Sequence, residues 1–141
     1  VTRAGIVVTG TEVLTGRVPD RNGPWLAEQL RLLGVDVGHV VVVGDRPDDL
    51  RSALSFLAGS GVSLMITTGG LGPTADDLTR EAVAAFAGVE LHEDPALVTW
   101  LEARFARRGV PMPAINRRQA MVPEGGEPIP NPNGSAPGLL L

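Results

Sequence analysis

A chain of 141 residues suits one domain, able to bury roughly two thirds of its unfolded surface without a disulfide or metal staple. It holds no cysteine, and all 12 cationic side chains are arginine, which excludes thiol catalysis, cysteine-held zinc, Schiff-base lysine chemistry and a P-loop lysine. The net charge of -4 argues against a general nucleic-acid binder, and no apolar run approaches the ~20 residues of a membrane span, so the expectation is a cytoplasmic protein with neither nucleic-acid nor membrane partner.

Arg3 to Thr9 (RAGIVVT) is a continuous apolar run, which predicts a strand buried on both faces. It ends in Gly10-Thr11-Glu12. The spacing from Gly10 to Gly16 is one residue longer than a P-loop's, and Arg17-Val18 stands where Lys and Ser/Thr would be, so that motif is excluded. Asn22 is placed as a helix cap with Pro24 in the first turn. Trp25, Leu26, Gln29, Leu30 and Leu33 then repeat at helical spacing as far as Gly34. Val35 to Val43 predicts a second strand, ending in Gly44-Asp45-Arg46. Asp48 and Asp49 enrich the first turn of the next helix, which carries Leu50, Ala53, Leu54 and Leu57 on one face.

Ser63 to Thr68 predicts a third strand, running into the stretch around which the chain is organised, Leu64 to Thr79 (LMITTGGLGPTADDLT). Strand, glycine turn and acidic helix start follow one another there. Two readings stand side by side: Asp76 caps the helix with Asp77 in its first turn, or the two carboxylates meet a divalent cation that carries a phosphate. The following helix is expected from about Leu78 to Ala87, another after Pro95 with Leu97, Val98, Leu101 and Phe105, and a short helical turn over Asn116 to Ala120. Pro123 to Leu141 reads as an extended pair or hairpin feeding a strand. Trp25, Trp100 and the three phenylalanines are expected in the core. His39 falls inside the valine strand and His92 in a surface connection, and neither has a partner at metal-ligand spacing.

Strands alternating with helices predict right-handed crossovers and a mostly parallel central sheet covered on both faces, a three-layer α/β sandwich. Ligands of such sheets bind beyond the carboxyl ends of the strands. That rule gathers Gly10, Thr11 and Glu12, Gly44 and Asp45, and Thr68, Gly69 and Gly70, with Gly72, Thr74, Asp76 and Asp77 just beyond, into one constellation. The glycine turn is a generic anion cradle, and Thr68 and Thr74 offer hydroxyls to a phosphate or to their own backbone. Asp45 and Asp77 are candidate ligands of a magnesium-like ion, with Glu12 as a further ligand or general base. Arg17 and Arg46 are candidate anion clamps or plain surface arginines.

GTEVLTG (Gly10 to Gly16), VGDRPDDL (Val43 to Leu50), TTGGLGPTADDLTREA (Thr67 to Ala82), NRRQAMVPEG (Asn116 to Gly125) and PNPNGSAPG (Pro130 to Gly138) together resemble the CinA family, specifically its N-terminal domain of MoaB/Mog molybdopterin-binding fold. The resemblance covers essentially the whole chain. It implies one MoaB/Mog-like domain over 1–141 in a homo-oligomer, dimer or trimer, with a nucleotide or pterin as small-molecule ligand. It also implies divalent-metal-dependent ADP-ribose pyrophosphatase activity (Mg, Mn or Co) with Asp45 and Asp77 as the metal and catalytic aspartates. In the Mog branch the ligand is molybdopterin. The phosphate-side loops fall on Gly69, Gly70 and Gly72 and on Gly134, Ser135 and Gly138. Against the family pattern, the domain is expected to be truncated at its C-terminal end, and the amidase domain of a longer parent chain is absent. Hydrolase, binding module with little turnover, and plain dimerisation domain are the alternatives, and fold does not choose among them.

Overall fold

Strand β1 (Arg3–Thr9) is buried from Ala4 to Thr9, as its unbroken apolar run requires of a strand covered on both sides. In the computed structural model, which describes residues 1–141, β1 lies between two parallel neighbours, β2 (Asp36–Val43) and β3 (Leu64–Thr68), in the order β2-β1-β3. Ile6 stands opposite Val40 on one side and Ile66 on the other, and a register shift lies between Ala4 and Gly5.

Alternation along β1 sorts its side chains between two helices. Ala4, Ile6 and Val8 pack with Leu30 of α2 (Asn22–Leu32), and Leu26 and Ala27 of the same helix join them. On the other face a Cβ at Gly5 would come within 2.6 Å of Leu57 Cδ2 of α3 (Pro47–Gly59), so glycine there lets α3 seat closely. Leu50, Ala53, Leu54 and Leu57 of α3 are all buried, the face that the sequence pattern predicts. Helix, parallel sheet and helix are thus three layers. The chain steps from β1 to β2 and then crosses back to β3, which makes the β1/β3 boundary the topological switch.

The chain divides into two compact units, Val1–Gly70, which holds this sheet, and Leu71–Leu141. The second contains α4 (Thr79–Ala87), β4 (Leu91–Glu93), α5 (Pro95–Ala106), a 3₁₀ turn over Ala114–Ala120, and β5 (Met121–Pro123), β6 (Glu127–Ile129) and β7 (Gly138–Leu140). β4 pairs antiparallel with β5, and β6 with β7. Leu101, Ala120 and Val122 are buried to 1% exposure or less. No helix is long and apolar enough to cross a membrane.

Several local expectations change. Thr11–Leu14 forms a single helical turn, α1, a stretch to which the sequence reading assigns no element. Asn22 does not cap α2; the Gly23 N–H donates instead to Asp20 Oδ1 at 3.0 Å. Neither Asp76 nor Asp77 caps α4, whose first residue is Thr79. His92 belongs to β4, and Trp25, expected in the core, is 62% exposed. Phe56, also expected inside, is half exposed and meets His39 edge-on at 5.0 Å.

Leu57 is fully buried against β1, so Leu57→Ala should cost about 2–5 kcal/mol. Urea denaturation of the two proteins measures it; an unchanged midpoint would mean that α3 is not seated on Gly5.

Candidate functional site

At its carboxyl end β1 gives way to Gly10, whose φ of 151° suits glycine. The Gly10 N–H extends the ladder to Val43 O at 3.0 Å, and its carbonyl accepts from Val13 and Leu14, opening α1. Asp45, just past β2, reaches over to this turn: its Oδ2 accepts from Thr11 Oγ1 at 2.9 Å and from the Thr11 N–H at 3.4 Å. The Asp45 N–H donates to Thr11 Oγ1 at 3.2 Å. Both predicted residues are therefore neighbours, and the amides of Gly10 and Thr11 are occupied within the protein. Glu12 is exposed, with Oε1 only 2.8 Å from where a Gly10 Cβ would lie.

β3 ends beside β1. Gly69, at φ 95°, comes so near the Thr9 carbonyl that a Cβ there would collide with backbone. Gly70, at φ 69°, completes the turn. Thr9 Oγ1 donates to Thr68 O at 3.3 Å, while the Thr68 hydroxyl accepts from Asn22 Nδ2 at 2.9 Å. A hydroxyl oxygen that accepts keeps its own proton for another acceptor. Sequence reasoning placed Asn22 as a cap and so missed this contact. Arg17 and Arg46 are exposed.

In the second unit the Leu71 to Asp77 segment is shaped by two arginines. Arg80, 1% exposed, donates to the carbonyls of Leu71 and, at 3.3 Å, of Gly72. Arg118 donates to the carbonyls of Thr74 at 2.7 Å, Pro73 at 3.4 Å and Asp77 at 3.4 Å, and meets Glu81 Oε1 at 3.2 Å. With its carbonyls so taken, the segment turns amides toward Asp77. Asp77 Oδ2 accepts from Thr74 Oγ1 at 2.6 Å and from the Thr74 N–H at 3.0 Å. Burial is the largest single influence on the Asp77 carboxyl and pushes its pKa up. The Thr74 hydroxyl, the Thr74 and Gly72 amides and the Arg80 charge together outweigh it and hold the group below the ordinary value. Burial, aided by Arg118, lowers the pKa of Arg80 against the opposing pull of Glu81 and Asp77.

The late loop has its own scaffold. Asn131 Oδ1 accepts from the N–H groups of Asn133 and Gly134 at 3.0 and 3.1 Å, and Nδ2 donates to Ala136 O at 2.8 Å. Behind the loop, Asn116 Nδ2 donates to Gln119 Oε1 at 2.9 Å, and Gln119 Nε2 donates to Ser135 Oγ at 3.1 Å. Gly138, named with this loop, begins β7 instead. A nearby cavity of about 190 Å³, lined by Leu97, Trp100, Ile129 and several prolines, is apolar and offers an anion little.

The donors at Asp45 and Asp77 are carboxylate and hydroxyl oxygens, which suit a hard divalent cation rather than a soft metal. Nowhere do three or more carboxylate or imidazole groups gather.

The family model of a probable molybdopterin-binding domain matches residues 5–141. A CinA-like protein of Mycolicibacterium vanbaalenii is 54% identical over 149 aligned residues, covering 99% of this chain and 35% of that protein, so the chain spans about a third of its relative's length. The crystal structure of CinA from Thermoplasma acidophilum, a protein of unknown function, superposes with a TM-score of 0.88 at 30% identity, covering 98% of this chain and 80% of that one. A molybdopterin biosynthesis protein from Mycobacterium abscessus gives 0.57 at 27% identity, covering 77% and 66%.

Asp77, depressed in the folded state, contributes stability that is present above its unfolded pKa of about 3.9 and is lost as pH falls through the lower folded value. Asp77→Asn should therefore melt below the wild type at pH 6, and the gap should shrink as pH falls below about 3.9 toward the lower folded value. A gap that stays constant over that range would show that the charge is not what holds Thr74.

Proposed function

Since the chain belongs to the CinA-like proteins and carries their molybdopterin-binding domain, we propose that it binds a phosphorylated nucleotide or pterin and hydrolyses a nucleotide diphosphate of the ADP-ribose type with a divalent cation. The observation that supports this most is Asp45 held at the carboxyl end of the doubly wound sheet by both donors of Thr11. A carboxylate with one oxygen fixed in this way keeps its orientation, as a ligand to a magnesium-like ion must. We assign Asp45, in the first unit, to the cation; Asp77 is a separate candidate ligand within the second unit. Such an ion, when bound, neutralises diphosphate charge and polarises a phosphoryl oxygen.

The protein groups supply the remainder of the reaction. Thr68, whose hydroxyl oxygen is occupied by Asn22, donates its proton to a phosphate oxygen. Gly69, whose Cβ would meet the Thr9 carbonyl, lets the two strand ends close up beside Thr68. Exposed Glu12 takes the proton of the attacking water. Cleavage then places water's oxygen on one phosphorus and leaves the bridging oxygen with the other, giving two monophosphates.

A second reading, a pterin or nucleotide-binding module with little turnover, is favoured by one observation. Asp77 Oδ2 is already engaged by Thr74, and an aspartate tied into its own turn is less available to a metal.

Incubation with ADP-ribose and Mg²⁺, Mn²⁺ or Co²⁺ separates the two through release of AMP and ribose phosphate. Thr11→Val should lower the rate by about 10–100-fold, the usual cost of removing an outer partner of a metal ligand, and Asp45→Asn by more. Binding without cleavage under every metal selects the module. Full activity in Asp45→Asn removes the assignment of that residue.

A further inference from the structure

The apolar cavity between the start of α5 and β6 lies wholly within the second unit and measures about 190 Å³. An apolar protein cavity of ~150 Å³ takes up benzene, so this one has room for a single ring on a short arm and is too small for a whole nucleotide. Its wall is set before any ligand arrives. Pro128, Pro130 and Pro137 bring rigid rings with no N–H to satisfy, and Pro137 is fully buried. Trp100 adds a flat ring, held by Arg104, whose guanidinium stands 5.5 Å from the ring centre and whose Nη1 donates to Pro132 O at 3.5 Å.

Polar groups on this wall differ in what they have left to offer. Asn131 spends its amide on the loop, accepting from the Asn133 and Gly134 N–H groups and donating to Ala136 O. Asp94 spends half of its carboxylate. Its Oδ1 caps α5 by accepting from the N–H groups of Ala96 at 2.8 Å and Leu97 at 3.3 Å, while its Oδ2 makes no hydrogen bond. In none of the chain's ion pairs does an arginine reach it. A negative oxygen therefore lines a ring-sized apolar hollow with no cation paired to it. We propose that this cavity is a binding site for a small aromatic amine, its ring packed against Trp100 and the prolines and its ammonium donating to Asp94 Oδ2. Charge decides the class: a ring bearing a carboxylate would meet Asp94 as a like charge, and a neutral ring would forgo the charge-assisted bond. No residue assigned to the strand ends takes part, so the inference stands or falls apart from the function proposed above.

NMR titration of ¹⁵N-labelled protein at pH 7 with benzylamine, toluene and phenylacetate tests it. Benzylamine should move Leu97, Ile129 and the Trp100 indole N–H together and saturate with one affinity. Phenylacetate should bind at least about 10-fold more weakly, the difference expected when a hydrogen bond to a charged group is lost. Asp94→Asn keeps a capping side chain and should bring benzylamine down to the affinity of toluene while leaving toluene itself unchanged. Ala96→Phe, which puts a ring into the cavity from an exposed position, should block all three and carries the test should Asp94→Asn fail to fold. Shifts that do not saturate or that fall elsewhere, equal affinity for phenylacetate, or wild-type benzylamine affinity in Asp94→Asn would overturn the proposal. So would binding of a peptide with an N-terminal phenylalanine where benzylamine shows none, which would make the cavity a protein-docking site instead.

Discussion

Where β1 and β3 run out, two backbones pass closer than a side chain permits. Gly69 faces the Thr9 carbonyl with no room for a Cβ, and its φ of 95° is one that an L side chain adopts only at a cost of about 1–3 kcal/mol. This approach follows from parallel pairing carried to Thr68, the last residue of β3, which stands beside Val8 of β1. It leaves main chain and short hydroxyls, not bulk, at the switch point of the sheet. The Thr9 to Thr68 bond spans this approach, and Asn22 bonds the Thr68 hydroxyl beside it.

A second constraint governs the segment that follows. A glycine-rich loop must satisfy its carbonyls as well as its amides. Here the carbonyls of Leu71, Gly72, Pro73, Thr74 and Asp77 are met by Arg80 and Arg118, and amides of the same segment go to Asp77. A turn that resembles an empty anion cradle in sequence thus carries an anion of its own. Binding of an external phosphate there would have to compete with, or add to, the Asp77 carboxylate.

Much of this was legible in the residues. The unbroken run of β1, the valines of β2, the one-faced leucines of α3 and the glycine turn after β3 all carry period or composition enough to be read. The three-residue strands β4 and β5 were not legible, because three residues show no period and their pairing joins Leu91 to Pro123 across distant sequence. Helix starts misled for another reason. Asp20, Asn22, Asp76 and Asp77 are all good capping types, and tertiary partners decide which is used: Asn22 is drawn to Thr68 and Asp77 to Thr74. Arg80, Asn116, Arg118 and Gln119 stand inside motifs that carry the family resemblance, but long polar side chains ordinarily face water, and only the fold shows Arg80, Asn116 and Gln119 buried and Arg118 partly so.

The claim on which the account depends is that the ligand sits at the carboxyl ends of β1 and β3. A backbone-amide NMR titration of ¹⁵N-labelled protein with ADP-ribose and Mg²⁺ measures this directly. The account predicts that Thr11, Asp45, Thr68, Gly69 and Gly70 shift together and saturate with one affinity. Saturation that leaves those five unmoved, with shifts gathered instead around Trp100 and the apolar cavity, would contradict it.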